Sequence, residues 1–211
     1  MGGRGSGSTS HGGGSGGVVI LFGEGGEQRQ SLPLAGKTVF FDGNKTDTAA
    51  TLAVFEADTY KLGHEEMLFV DQDGFARGYF KGDNGSVSFM LPPHVKVSDL
   101  SITHNHPLGD GRSIGGTFST ADMSVLARYG MRELRATASE GTYSLRPTGR
   151  ANPTGFLKSL ARYDSSVAKK TKASVKAGDK REIIDIALGH ANDWVSRNAP
   201  KFGYEYVFKK R

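Results

Sequence analysis

Residues 100–129, LSITHNHPLGDGRSIGGTFSTADMSVLARY, contain a strand pattern followed by a helix pattern, with a glycine-rich loop between them. The mainly apolar and β-branched residues over 100–104 predict a strand. Ser119 is a favourable N-cap, and apolar residues follow it at helical spacing as far as Gly130, which supplies a C-terminal stop. The stretch therefore predicts a strand that leads through a loop into a helix over 119–129, in a chain of the α/β (α+β) class.

Patterns on both sides of this stretch predict further elements. Short apolar or alternating runs predict strands over 18–22, 37–42, 66–70, 75–80, 86–90, 133–138, 142–145 and 204–208. Helical spacing predicts helices over 46–62, 154–173 and 180–198. The last of these has an apolar stripe, which we expect to pack against the core: Ile183, Ile184, Ala187, Ala191 and Trp194.

Composition divides the chain into three parts. Residues 1–17 are almost wholly Gly and Ser, which predicts a disordered tail because such a segment buries too little surface to offset its ordering entropy. Residues 18–149 form the predicted domain, and the prolines at 147 and 153 mark its end. Residues 150–211 are a basic, mostly helical C-terminal extension with fourteen Lys and Arg against six Asp and Glu.

The absence of cysteine excludes disulfides and thiolate metal ligands, so any metal must be held by His, Asp or Glu. No apolar run approaches the ~20 residues of a membrane span, and the N-terminus has no basic-then-apolar signal pattern. We therefore expect a cytoplasmic protein that does not act on membranes. The charge of the basic extension favours a solvated helical face. The alternative is a surface that binds nucleic acid or an acidic partner.

The stretch quoted first also contains a candidate metal site. His104 and His106 are one residue apart on an extended backbone, so their side chains project to the same face. Asp122 lies where the predicted helix begins, and its carboxylate can turn back toward that pair. Two nitrogens, one oxygen and an open fourth position are what a catalytic zinc ion requires. The competing interpretation is a turn whose histidines only form hydrogen bonds.

The order of a strand meander, H-x-H-P at a strand end and S-x-x-D at a helix start resembles the JAMM (JAB/MPN) metalloprotease family. The match is closest to its RadC-like and bacterial or phage branches, and covers about residues 44–147. It rests on His104, Asn105, His106, Pro107, Ser119 and Asp122. The eleven residues 108–118 make the loop between the two halves of the motif longer than is usual in the family. The resemblance implies an α/β/α sandwich with a mixed, mostly antiparallel central sheet, to which the C-terminal helical segment is appended.

The resemblance also implies roles for individual residues. His104, His106 and Asp122 would hold Zn²⁺, which lowers the pKa of a bound water toward about 7. The family takes its general base from a glutamate near the start of an early strand, so Glu65 and Glu66 are the candidates. Strand alternation lets only one of them face the metal, and we favour Glu65. Ser119 resembles the family serine that stabilises the oxyanion, although a plain N-cap role needs no catalysis.

We therefore expect a zinc-dependent hydrolase that cleaves a peptide or isopeptide bond, with a polypeptide substrate such as a ubiquitin-like tail. The alternatives are an inactive scaffold of the same fold and a RadC-like protein associated with nucleic acid. Asp110 is an alternative oxygen ligand. Surface or packing roles outweigh metal ligation for the isolated histidines His11, His64, His94 and His190.

Overall fold

The computed structural model describes residues 48–72, 74, 76–82, 87, 96–109 and 116–211 with their side chains, and the backbone of residues 19–21, 30–34, 37–41 and 112–113. The strands in chain order are β1 Val19–Leu21, β2 Gln30–Leu34, β3 Lys37–Phe41, β4 Glu66–Val70, β5 Ala76–Lys81, β6 Ser101–Asn105, β7 Leu108–Gly109, β8 Arg112–Ser113, β9 Glu133–Ala138, β10 Gly141–Pro147 and β11 Tyr204–Lys210. The helices are α1 Thr48–Thr59, α2 Thr120–Tyr129, α3 Pro153–Leu160, α4 Tyr163–Lys176 and α5 Ile183–Asn198, with 3₁₀ turns at Val97–Asp99 and Ala199–Phe202.

A seven-stranded sheet in the order β1-β5-β4-β6-β9-β10-β11 organises the described part of the chain. Its neighbouring strands are antiparallel except for β6 and β9, which run parallel and are joined through α2. The pairs β2–β3 and β7–β8 form separate hairpins. The prediction of a mixed, mostly antiparallel sheet is therefore confirmed.

Each face of the sheet is covered by helices, as alternation along β4 shows. Met67 and Phe69 point into a large core shared with α2, α3, α4 and α5. Leu68 and Val70 point the other way and pack against α1, which contributes the fully buried Phe55. Because successive strand residues face opposite sides, an apolar strand in this central position serves both layers. The predicted α/β/α sandwich is confirmed.

The C-terminal extension folds together with the rest of the described chain. Phe156, Trp194 and Tyr204 belong to the same core as the residues of α2 and β9. β11 pairs with β10 along its whole length, from Pro147 opposite Tyr204 to Gly141 opposite Lys210. The turn into β11 requires a glycine at 203, where φ is 74° and a Cβ atom would lie 2.4 Å from the Arg150 carbonyl oxygen.

Two details of the extension differ from the sequence-based expectations. The helix predicted over 154–173 is two helices, α3 and α4, because the Arg162 amide donates to the carbonyl three residues back, at Ser159, and tightens the turn. The apolar stripe on α5 is buried only in its second half. Ala191 and Trp194 lie in the core, whereas Ile183 is 65% exposed; in the first turn of α5 the buried residue is Ile186, which lies outside the predicted stripe.

Several predictions fall on parts of the chain that the structure does not describe. They are the tail over 1–17 and most of the strand over 86–90. Among the described helices, none combines the length and the apolarity needed to cross a membrane.

We predict that a chain ending at Thr148 shows no cooperative unfolding transition. The truncation removes β11 from the sheet edge and strips apolar side chains from the core that α2 shares with α3 and α5. Thermal unfolding followed by circular dichroism provides the measurement. Removal of the predicted tail over 1–17 is the control and should leave the transition in place. A cooperative transition in the chain ending at Thr148 would make 18–149 an independent domain.

Candidate metal centre

The strand β6 and the first turn of α2 bring the three predicted ligands together. His104 lies within β6, and His106 follows two residues later, just past the strand end. Asp122 lies three residues after Ser119, the N-cap of α2. His104, His106 and Asp122 each offer one ligand atom, and these atoms lie within 4.8 Å of one another. This group could hold a metal ion.

The distances within the group suit a tetrahedral ion. The Nε2 atoms of His104 and His106 are 3.2 Å apart. Two nitrogens bound to one zinc at about 2.0–2.1 Å would be separated by about 3.3 Å. Oδ1 of Asp122 lies 3.7 Å from Nε2 of His104. Both rings are buried, while the Asp122 side chain is 20% exposed, so the group opens to solvent on the carboxylate side.

A capping box aims the Asp122 carboxylate. Oδ2 of Asp122 accepts hydrogen bonds from the Ser119 amide at 2.8 Å and from the Ser119 hydroxyl at 2.7 Å. In return, the Asp122 amide donates to Oγ of Ser119 at 3.1 Å. One carboxylate oxygen is therefore tied to the helix start, and Oδ1 is the oxygen that faces His104.

Burial and charge place His104 and Asp122 in the protonation states that a metal requires. Burial lowers the pKa of His104 from 6.5 to about 4; Asp122 opposes this shift, whereas His106 adds to it. Burial opposes ionisation of Asp122, but His104, His106 and the Ser119 hydrogen bonds outweigh it, so the pKa of the Asp122 carboxyl lies below its ordinary value. At neutral pH the site therefore offers a neutral imidazole and an anionic carboxylate.

The second ring nitrogen of each histidine, Nδ1, faces away from the centre. Within the described residues, the buried Nδ1 atoms of His104 and His106 have no hydrogen-bond partner. Metal-bound histidines usually donate this second N–H to a carboxylate or a carbonyl. A hydrogen bond between the two rings would give the same Nε2–Nε2 distance, but it does not explain why Oδ1 of Asp122 is aimed at the pair.

The two candidate glutamates point to opposite faces of the sheet. Oε1 of Glu65 lies 3.9 Å from Nε2 of His104, beside the ligand group. Glu66 faces the α1 layer, where its Oε1 lies 2.7 Å from Nε2 of His64. Asn105 holds this arrangement, since it accepts from the Glu66 amide and donates to the His64 carbonyl. The geometry brings Glu65, and not Glu66, to the candidate ligands.

The remaining sequence candidates lie elsewhere. His190 contacts the Ser174 hydroxyl at 2.9 Å, far along the chain from the motif. Asp110, His11 and His94 fall outside the described residues. In the long loop between the halves of the motif, β7 and β8 form a short hairpin, and the Leu108 amide donates to the Leu62 carbonyl.

The C-terminal extension holds the segment that leads to Asp122, which the sequence did not indicate. The hydroxyl of Tyr163 donates to the Phe118 carbonyl at 3.1 Å in a buried position. Thr120 donates to both carboxylate oxygens of Asp164, at 3.2 and 3.3 Å. These contacts join residues more than forty positions apart, so no local sequence pattern predicts them. Tyr163 and Asp164 therefore position the turn that carries Ser119 and Asp122.

Comparison with known proteins provides no match: no protein-family model matches the sequence, and no curated protein or solved structure is significantly similar to the chain. The resemblance to the JAMM family therefore depends on the motif residues and the sandwich fold alone, and any function taken from it is a proposal.

We predict that one Zn²⁺ or Co²⁺ ion binds per chain and that Asp122→Ala weakens its binding more than about 100-fold, because loss of an outer partner alone costs up to that factor. Isothermal titration calorimetry measures the affinity. Asp193→Ala, which removes an exposed carboxylate on α5, is the control and should bind metal like the parent. Equal affinity in both variants would exclude Asp122 as a ligand.

We also predict that Tyr163→Phe weakens metal binding about 10-fold, at the lower end of outer-partner losses, because Phe118 and the turn that follows lose their anchor. The absorption spectrum of bound Co²⁺ should change with it, since a displaced Asp122 alters the ligand geometry. Tyr204→Phe is the matched control: Tyr204 is also buried, and its hydroxyl makes no hydrogen bond within the described residues. Unchanged affinity and spectrum in Tyr163→Phe would contradict the positioning role.

Proposed function

We propose that this protein is a zinc-dependent hydrolase of the JAMM type, which cleaves a peptide or isopeptide bond in a polypeptide substrate. The observation that carries the proposal is the convergence of four side chains from three elements: His104, His106, Asp122 and Glu65. If His104, His106 and Asp122 only stabilised a turn, a further carboxylate beside them would have no role. Hydrolysis, in contrast, needs a base next to the metal.

His104, His106 and Asp122 would hold the zinc ion. When bound, zinc supplies Lewis acidity, which lowers the pKa of a coordinated water and polarises the substrate carbonyl. The ligand set is suited to this role, because three protein ligands leave the fourth position of a tetrahedral ion open. The side of the group toward Asp122 is the side that reaches solvent, and we infer that the substrate enters there.

Glu65 would act as the general base and then as the general acid. Its carboxylate accepts a proton from water as the water oxygen bonds to the carbonyl carbon. It returns that proton to the amine nitrogen when the carbon–nitrogen bond breaks. The position of Oε1 beside His104 supports this assignment. Glu66 pairs with His64 on the opposite face of the sheet and therefore cannot reach the ligands.

Ser119 would act first through Asp122. Its hydroxyl hydrogen is already donated to Oδ2 of Asp122. An oxyanion contact of the kind found in the family requires this hydroxyl to leave Asp122 during the reaction. We therefore propose positioning of the ligand as the main contribution of Ser119, with oxyanion stabilisation as a second role.

The test compares Glu65→Gln with Glu66→Gln on isopeptide-linked peptides and on a ubiquitin-like fusion. We expect Glu65→Gln to lower kcat by about 10²- to 10⁴-fold, the range for loss of a general base, and to leave the zinc content unchanged. Glu66→Gln is the matched control and should remain active. Loss of activity in Glu66→Gln alone would overturn the assignment of the base. Zinc binding without turnover of any substrate would instead support an inactive scaffold of the same fold.

A further inference from the structure

A basic groove lies between α3, α4 and the C-terminal end of α5. Its volume is about 710 Å³, and it is distinct from the metal centre. Six of its lining residues carry cationic or hydroxyl groups: Lys158, Arg162, Lys169, Ser159, Ser165 and Ser166. A volume of this size lies within the usual range of ligand sites, about 300–1,000 Å³. We call the cavity that these residues line the basic groove.

The charge of the groove is not neutralised. No acidic residue lines it, and none of its three cations forms an ion pair within the described residues. By contrast, Arg146 pairs with Glu205 and Arg181 pairs with Asp179. Three unpaired cations around one concavity raise the local concentration of anions.

Two aromatic side chains also line the groove. Trp194, the only tryptophan of the chain, and Phe202 line it together with the cations. The hydroxyls of Ser159 and Ser165 donate to backbone carbonyls at 2.7 and 3.1 Å. That of Ser166 makes no hydrogen bond within the described residues and is available as a donor. The combination of cations, a hydroxyl donor and aromatic rings is typical of surfaces that bind a nucleic-acid strand.

We propose that the basic groove binds the phosphodiester backbone of single-stranded nucleic acid. Lys158, Arg162 and Lys169 would contact successive phosphates, and the half-buried Phe202 would contact the apolar part of a base or sugar. Arg162 directly precedes α4 and Lys169 lies seven residues further on within it, which corresponds to about 10 Å. This spacing suits a repeating polyanion better than one isolated anion. A flexible single strand can follow a concave groove of this volume, whereas a stiff duplex cannot enter it.

The groove and the metal centre lie on opposite sides of α4. Tyr163 and Asp164 face the segment that leads to Asp122, whereas Ser165, Ser166 and Lys169 face the groove. The helical period separates these two sets by about half a turn. Substitutions in the groove should therefore leave metal binding unchanged, and the proposal does not depend on the hydrolase assignment.

The experiment uses the full chain and a labelled 20-nucleotide single-stranded DNA. Fluorescence anisotropy measures the affinity between 50 and 200 mM salt (on the order of the range over which phosphate contacts weaken), and Trp194 fluorescence reports occupation of the groove. We compare a triple groove variant, Lys158→Gln with Arg162→Gln and Lys169→Gln, with a matched triple control. The control replaces Lys170, Lys176 and Lys180 by Gln, which removes the same charge from exposed positions outside the groove.

We expect the parent chain and the control to bind DNA with quenching of Trp194. We expect the groove variant to lose about 10-fold or more in affinity, together with the quenching. The slope of log K against log salt should fall by about 2, because three single-strand phosphate contacts contribute about 0.7 each. Unchanged circular dichroism and unchanged metal affinity in the groove variant would show that the fold is intact.

Three results would overturn the proposal. The first is an absence of DNA binding by the parent chain. The second is an equal loss in the groove variant and in the control, which would indicate general surface charge. The third is displacement of the DNA by polyglutamate of matched charge at equal affinity and with the same Trp194 quenching, which would make an acidic polypeptide the ligand.

Discussion

Met67 of β4 lies directly opposite His104 of β6, and this antiparallel register decides what each face of the sheet carries. It directs His104 and Glu65 to the layer of α2, and Glu66 to the layer of α1. A shift by one residue would reverse every side chain of β4 and separate the glutamate from the histidines. The apolar residues that alternate with these polar ones, among them Phe69, make such a shift costly because they fill the core.

The hydrogen bonding of buried polar groups differs between the two faces of the sheet. On the α1 face, Glu56 accepts hydrogen bonds from Arg135 at 2.6 and 2.8 Å and from Thr103 at 3.0 Å. That network satisfies its charges internally and has the character of a structural element. On the opposite face, His104 and His106 bring like atoms together with unsatisfied ring nitrogens behind them. A metal ion held by the two Nε2 atoms would give both of them a partner in place of this close contact.

The C-terminal extension is part of both proposed sites. One side of α4 holds the turn before Asp122 through Tyr163 and Asp164, and the other side forms a wall of the basic groove. Its apolar residues share the core of the sandwich, and β11 closes the edge of the sheet. The candidate metal ligands therefore come from the region that resembles the JAMM family, whereas part of their support comes from outside that region.

Local features of this protein could be predicted from the sequence alone. The strand at β4, the N-cap at Ser119, the C-cap at Gly130 and the placement of His104 and His106 on one face all follow from residues a few positions apart. Only the tertiary structure decided which glutamate lies beside the metal ligands, where α3 ends, which isoleucines of α5 stay exposed and how Tyr163 reaches Phe118. These outcomes depend on register and on packing between distant segments. Capping and alternation arise from backbone geometry within a few residues, whereas contacts across tens of residues exist only once the sheet has assembled.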